Sequence, residues 1–143
     1  RDLARYLQGR WRIDRQVDDR RAGATFRMHG TATVYLDRTS KAPCTLTYDE
    51  EVVWKPAGRL QRGTRRYLYH VTGPTRARVC FADGRPFHDL ELATGFCSAH
   101  HDCPPDLYGG HYRLIGPDTF QVRWTVTGPR KDMTLTTTFQ RIS

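Results

Sequence analysis

Between turn signals, polar and apolar residues alternate with a period of two along most of the chain beyond Gly9, the spacing of strands with one buried face. In TATVYLD (31–37), Ala32, Val34 and Leu36 share a face opposite Thr31, Thr33 and Tyr35. TLTYDEEVVW (45–54) aligns Leu46, Tyr48, Glu50, Val52 and Trp54. RRYLYHVTG (65–73) sets Tyr67, Tyr69 and Val71 against Leu68 and His70. RARVCFADG (76–84) ends in Asp83-Gly84, a hairpin signal, and RPFHDLELATG (85–95) continues as the returning strand. HYRLIGPD (111–118) closes on a Gly-Pro-Asp turn, and residues 119–141 read as a long hairpin about Gly128-Pro129.

Ahead of these, residues 2–9 predict a short helix with Asp2 as N-cap, Leu3, Tyr6 and Leu7 on one face, and Gly9 just past the end. KPAGRLQRG (55–63) reads as a polar loop. HHDCPPDLYGGHY (100–112), broken by two prolines and two glycines, reads as a loop at a barrel mouth. The pattern predicts an all-β fold: an antiparallel up-and-down barrel of about 8–10 strands, with the helix as lid or plug. Closure follows because a meander this long must hide its edges. A β-sandwich is the alternative.

Composition changes this picture little. The 143 residues suit one domain, residues 1–143, and are 38% hydrophobic and 11% aromatic, enough for a core. No repeat, linker or low-complexity run interrupts them. No run of about 18 apolar residues predicts a membrane span, and RDLARYLQGRW carries no apolar stretch of a signal peptide. Cys44, Cys80, Cys97 and Cys103 form no Cys-x-x-Cys pair, so they are expected to be reduced thiols in a cytoplasmic protein. The net charge of +8 favours anionic partners. Arg far outnumbers Lys, however, and a generally basic surface accounts for the charge equally well.

Four segments together resemble a known family: WRIDR near the start, DGRPFHDLEL, the run from His101 to Tyr112, and RWTVTGPRKDMTLTTTFQR at the end. They are similar to the domain of unknown function 6314 family, over nearly the whole length from Trp11 to Arg141. The resemblance implies a small stand-alone bacterial domain of calycin-like, lipocalin-related barrel type, and it assigns no catalytic residue. The chain departs from the family's FHxLDL pattern at Glu91, a conservative change.

Candidate chemistry falls in three places. On FHDLEL, alternation puts His88 with Leu90 and Leu92, opposite Phe87, Asp89 and Glu91. If the leucines face inward, so does His88, and burial lowers its pKa. Such a group suits a general base or a ligand donor, or it is a core histidine bonded to a tyrosine. In the run 100–112, His101 and Cys103 lie two apart, but no second Cys or His pair stands at ligand spacing, so no metal site is expected. His101 and Asp106 are read as pinning the loop, with Tyr108 and Tyr112 plugging the barrel end, while a Cys103–His nucleophile pair is the reactive alternative. In the centre, Tyr48, Glu50, Arg65, Tyr67, Tyr69 and Trp124 share inward positions if Tyr67 is inside. An inward Arg65 needs a carboxylate or an anionic ligand, and Glu50 is the nearest candidate.

These residues lead to a small-molecule binder holding an anionic or aromatic ligand in the barrel, with no particular cofactor specified. The alternative is an enzyme on the same scaffold, a hydrolase, isomerase or cyclase with His88 and His101 as candidate catalytic groups. The doublets Arg20-Arg21, Arg65-Arg66 and Arg130-Lys131 raise nucleic acid as a third possibility. No recognition motif supports that one, and nucleic acid is not the expected partner.

Overall fold

A computed structural model describes residues 2–41 and 44–143. Among them are one helix, α1 (Leu3–Leu7), one 3-10 turn (Pro56–Gly58) and ten strands. The strands are β1 (Gly9–Asp19), β2 (Ala24–Leu36), β3 (Thr45–Trp54), β4 (Gln61–Val71), β5 (Arg76–Phe81), β6 (Pro86–Glu91), β7 (Phe96–Cys103), β8 (Asp106–Gly116), β9 (Thr119–Thr127) and β10 (Asp132–Arg141). All pairings are antiparallel, and the sheet order is β6-β5-β4-β3-β2-β1-β10-β9-β8-β7. The sheet curls into a nearly closed barrel. No backbone ladder joins β6 to β7 among the described residues. That seam is spanned by side chains, including Phe87 against His101 at 5.1 Å, and by the Glu91 N–H donating to the Cys97 sulfur at 3.4 Å.

Alternation decides what lies inside. Odd positions of β1 bury Trp11, Ile13, Arg15 and Val17, and even positions of β3 bury Leu46, Tyr48, Glu50 and Val52. Helix α1 closes one end. Asp2 caps it through hydrogen bonds from the Ala4 and Arg5 N–H groups, and Leu3, Tyr6 and Leu7 enter the core. The indole N–H of Trp11 donates to Leu7 O at 2.9 Å. Arg141 stacks on Trp11 with 4.2 Å to the ring centroid and donates to the carbonyls of Tyr6 and Gln8, which the helix end leaves open. The helix is shorter than residues 2–9, and Gly9, with φ of +133°, already opens β1.

One expected loop is a hairpin of strands, and another is shorter than expected. β4 begins at Gln61, inside the segment read as polar loop. The run 100–112 is the hairpin of β7 and β8, turning at Pro104-Pro105 between the paired Cys103 and Asp106. The two prolines occupy the turn, so the ladder asks no N–H of them. Gly110 lies in the strand beneath Trp124, where a Cβ would stand 2.7 to 2.9 Å from the ring, and a Cβ on Gly109 would stand 3.2 Å from Thr125 Oγ1.

Candidate functional site

The end opposite α1 is open. A pocket of about 520 Å³ lies there, walled by Tyr67, Phe81, Phe87, Tyr108 and Trp124 and extended by His101 and Cys103. Several of its rings lie nearly parallel. Phe87 stacks on Phe81 at 4.6 Å, on Trp124 at 5.0 Å and on Tyr67 at 5.5 Å between centroids. His101 meets the Phe81 and Phe87 rings edge-on.

Phe87 reaches this wall through a β-bulge. Val79 pairs with His88 and the next residue, Cys80, pairs with Pro86, leaving Phe87 as the extra residue. Strict alternation sets Phe87 opposite His88. The bulge brings both against Trp124.

The rim is cationic. Arg66 binds Asp49 and Lys131 binds Asp106, the latter at 3.2 Å. Among the described residues Arg65 forms no ion pair, although its charge helps to lower the Glu50 pKa. It donates to the Tyr67 hydroxyl at 3.2 Å, and its charge is exposed. Glu50, the partner expected for it, is engaged elsewhere.

That engagement lies deeper in the barrel. Arg15 donates twice to Glu50, at 2.7 and 2.8 Å, and once to Thr137 Oγ1 at 2.7 Å, while Tyr48 donates to the same carboxylate at 2.6 Å. Arg15 and Glu50 are only 6% and 5% exposed. Burial opposes the charge on both. The hydrogen bonds and opposite charge outweigh it, so the Arg15 pKa is raised and that of Glu50 lowered. Burial beside Glu50 pushes the Tyr48 hydroxyl well above its ordinary range. A chamber of about 60 Å³ adjoins this pair, bordered also by Tyr67, Tyr69 and Tyr112.

His88 is buried and lines neither space. Its Nδ1 is 3.3 Å from Asp89 O and its Nε2 is 3.1 Å from the Tyr112 hydroxyl. A carbonyl only accepts, so Nδ1 carries the proton and Tyr112 donates to Nε2. Desolvation lowers the His88 pKa to about 4. Tyr69 and Tyr112 interact through their hydroxyls, and burial raises both pKa values.

The structure thus gathers Arg65, Tyr67, His101, Cys103, Tyr108 and Trp124 at the mouth. It places Tyr48, Glu50, Tyr69 and Tyr112 at the inner chamber. Asp106 opens β8 and holds Lys131 rather than pinning a loop. Sequence reasoning missed Arg15, Thr137, Phe81 and Phe87. The first two were visible as inward positions of WRIDR and TLTTTF, while the bulge that re-aims Phe87 leaves no mark on the alternation. No group of three or more His, Cys, Asp or Glu suited to a metal ion occurs among the described residues.

Fold and pocket together define the class: a helix-plugged, ten-stranded up-and-down barrel with an aromatic pocket at its open end. The chain belongs to the family of unknown function DUF6314, whose profile matches residues 7–141. Among solved structures, it is similar to the S-type phycobiliprotein lyase CPES from Guillardia theta, with a TM-score of 0.74 and 8% identity over 99% of this chain and 91% of that one. It is also similar to mFAP1, a redesigned β-barrel bound to DFHBI, with a TM-score of 0.53 and 17% identity over 99% of this chain and 100% of that one. These likenesses show the fold. No curated protein matches the chain.

Proposed function

We propose that this protein binds a planar aromatic anion in the pocket at the barrel mouth. The observation that carries the reading is the union of parallel ring walls with Arg65, a rim cation that forms no ion pair among the described residues. A flat aromatic ligand slots along Tyr67, Phe87 and Trp124, and its anionic group meets the Arg65 guanidinium. A pocket of about 520 Å³ is within the size range of small-molecule sites. The barrel mFAP1, bound to DFHBI, has a similar fold, which supports a small-molecule guest in such a barrel.

In this reading the ligand sits at the mouth rather than deep in the barrel, and His101 and Tyr108 contact its edge. His88, with both ring nitrogens engaged, positions Tyr112 and the Trp124 wall and is not a base. The reading takes the 143 residues as one calycin-like domain. Four free cysteines favour the cytoplasm.

Isothermal titration with 2-naphthoate tests the proposal. Saturable binding at one site is expected, weakened about tenfold by Arg65→Ala, in keeping with loss of a charge-assisted hydrogen bond. Arg113→Ala, on the outer face of β8, leaves it unchanged. Equal affinity of wild type and Arg65→Ala would sink the reading.

A further inference from the structure

Resting on that reading of the mouth, we infer that the inner chamber is a second subsite, which receives a neutral hydrogen-bonding group at the far end of the ligand. The two spaces share a partition: Arg65, Tyr67, Trp124 and Leu135 border both. A ring lying against Tyr67 and Trp124 therefore has one edge facing the chamber. The chamber's volume of about 60 Å³ is above the roughly 10–15 Å³ that one water needs, so it has room for a hydroxyl, carbonyl or amide group.

The chemistry of the wall defines what enters. Leu7, Val34, Phe120, Val122 and Phe139 make much of the chamber wall apolar, and Tyr48, Tyr67, Tyr69, Tyr112 and Thr137 bring hydroxyls to its polar side. Arg15 and Glu50 add one charge of each sign and cancel. Arg65, which also borders the chamber, is taken by the ligand's acid at the mouth, so a second charge here would lose its hydration without finding an unpaired counter-ion, and the subsite accepts neutral polar groups. Stability does not account for the pair, because a well-packed apolar replacement of a buried ion pair is often at least as stable. A polar floor under a ligand does. The ligand class is then a planar aromatic acid whose ring carries a hydroxyl, carbonyl or amide group remote from the acid.

Three acids sharing one ring system test this by titration calorimetry: 2-naphthoate, 6-hydroxy-2-naphthoate and 2,6-naphthalenedicarboxylate. The hydroxy acid is expected to bind about fivefold tighter than 2-naphthoate, the gain of one buried neutral hydrogen bond. The dicarboxylate is expected to bind more weakly than either. Arg15→Met combined with Glu50→Leu should abolish the preference for the hydroxy acid while 2-naphthoate still binds. Circular dichroism checks the folding of that variant, and Val122→Leu, which narrows the chamber by a methylene, serves the same purpose if it fails to fold. Equal binding of 2-naphthoate and its hydroxy derivative to the wild type overturns the inner subsite and leaves the mouth site standing. Binding of none of the three overturns the mouth reading and this inference with it.

Discussion

His88 shows what burial does to one side chain. Its imidazole keeps a pKa of about 4 against an ordinary 6.5, mainly because desolvation penalises the charged ring. Asp89 and its backbone carbonyl favour the charged form, and His101 opposes it. As pH falls below 6.5, the unfolded chain takes up a proton that the native ring refuses. Stability therefore falls between pH 6.5 and 4, by up to roughly 3 kcal/mol at about 1.4 kcal/mol per pKa unit. Glu50 acts lower. Its folded pKa lies below 4.5, so its contribution is present above pH 4.5 and is lost as pH drops through the folded value. His88→Gln, which can still bridge Asp89 O and Tyr112, should flatten the upper part of the acid limb only. Urea unfolding at pH 7, 5.5 and 4.5 measures this, and parallel losses in wild type and variant would refute it. Gly110 makes a steric prediction at the same scale. An added methyl collides with the Trp124 ring, so Gly110→Ala should cost about 1–3 kcal/mol of stability. It should also weaken 2-naphthoate binding by displacing the wall. Unchanged urea midpoints and affinity would mean that the ring moves freely.

Elements show where the sequence was legible. Alternation located the barrel and grouped the residues that share a face on β3, β4 and β9, and the cap rule located Asp2, because each of these is local; which face turns inward was left conditional and is decided by the closure of the sheet. Alternation failed where tertiary packing overrode the local rule. Prolines and glycines predicted a loop at 100–112, yet Pro104 and Pro105 only occupy a tight turn and Gly110 makes room for Trp124 within β8. Glu50 was assigned to Arg65, its cross-strand neighbour, and the pairing in register is real. The carboxylate turns instead to Arg15, two strands away across β2, because β1 and β3 flank β2 and both side chains point into the same interior. No single-strand pattern encodes that. Arg141 carries the element-scale prediction. It joins the last strand to α1 through two carbonyls and to Trp11 through its ring face. Arg141→Ala should destabilise the protein by about 1–3 kcal/mol, the cost of losing charge-assisted hydrogen bonds at a helix end. Far-ultraviolet circular dichroism should change little while the thermal midpoint drops; an unchanged midpoint would make the contact decorative.

For the whole molecule, charge and closure matter more than any one contact. The net charge of +8 suggests polyanions, but the basic doublets are broken up: Arg20 binds Asp132, Arg66 binds Asp49 and Lys131 binds Asp106. Half of each doublet is thus paired with a carboxylate. Closure is incomplete in one place only among the described strands. β6 and β7 end the sheet order and touch through side chains, while every other neighbouring pair shares a ladder. The same seam supplies Phe87, His101 and Cys103 to the mouth pocket, so the pocket opens where the barrel is easiest to part. Amide exchange followed by mass spectrometry should find β6 and β7 exchanging before β1 and β10, whose amides lie between two partners. Adding 2-naphthoate should slow exchange at the seam, since a ring seated against Phe87 and Trp124 ties β6 to β9. Slower exchange confined to other strands would place the ligand elsewhere and separate the pocket from the seam that shapes it.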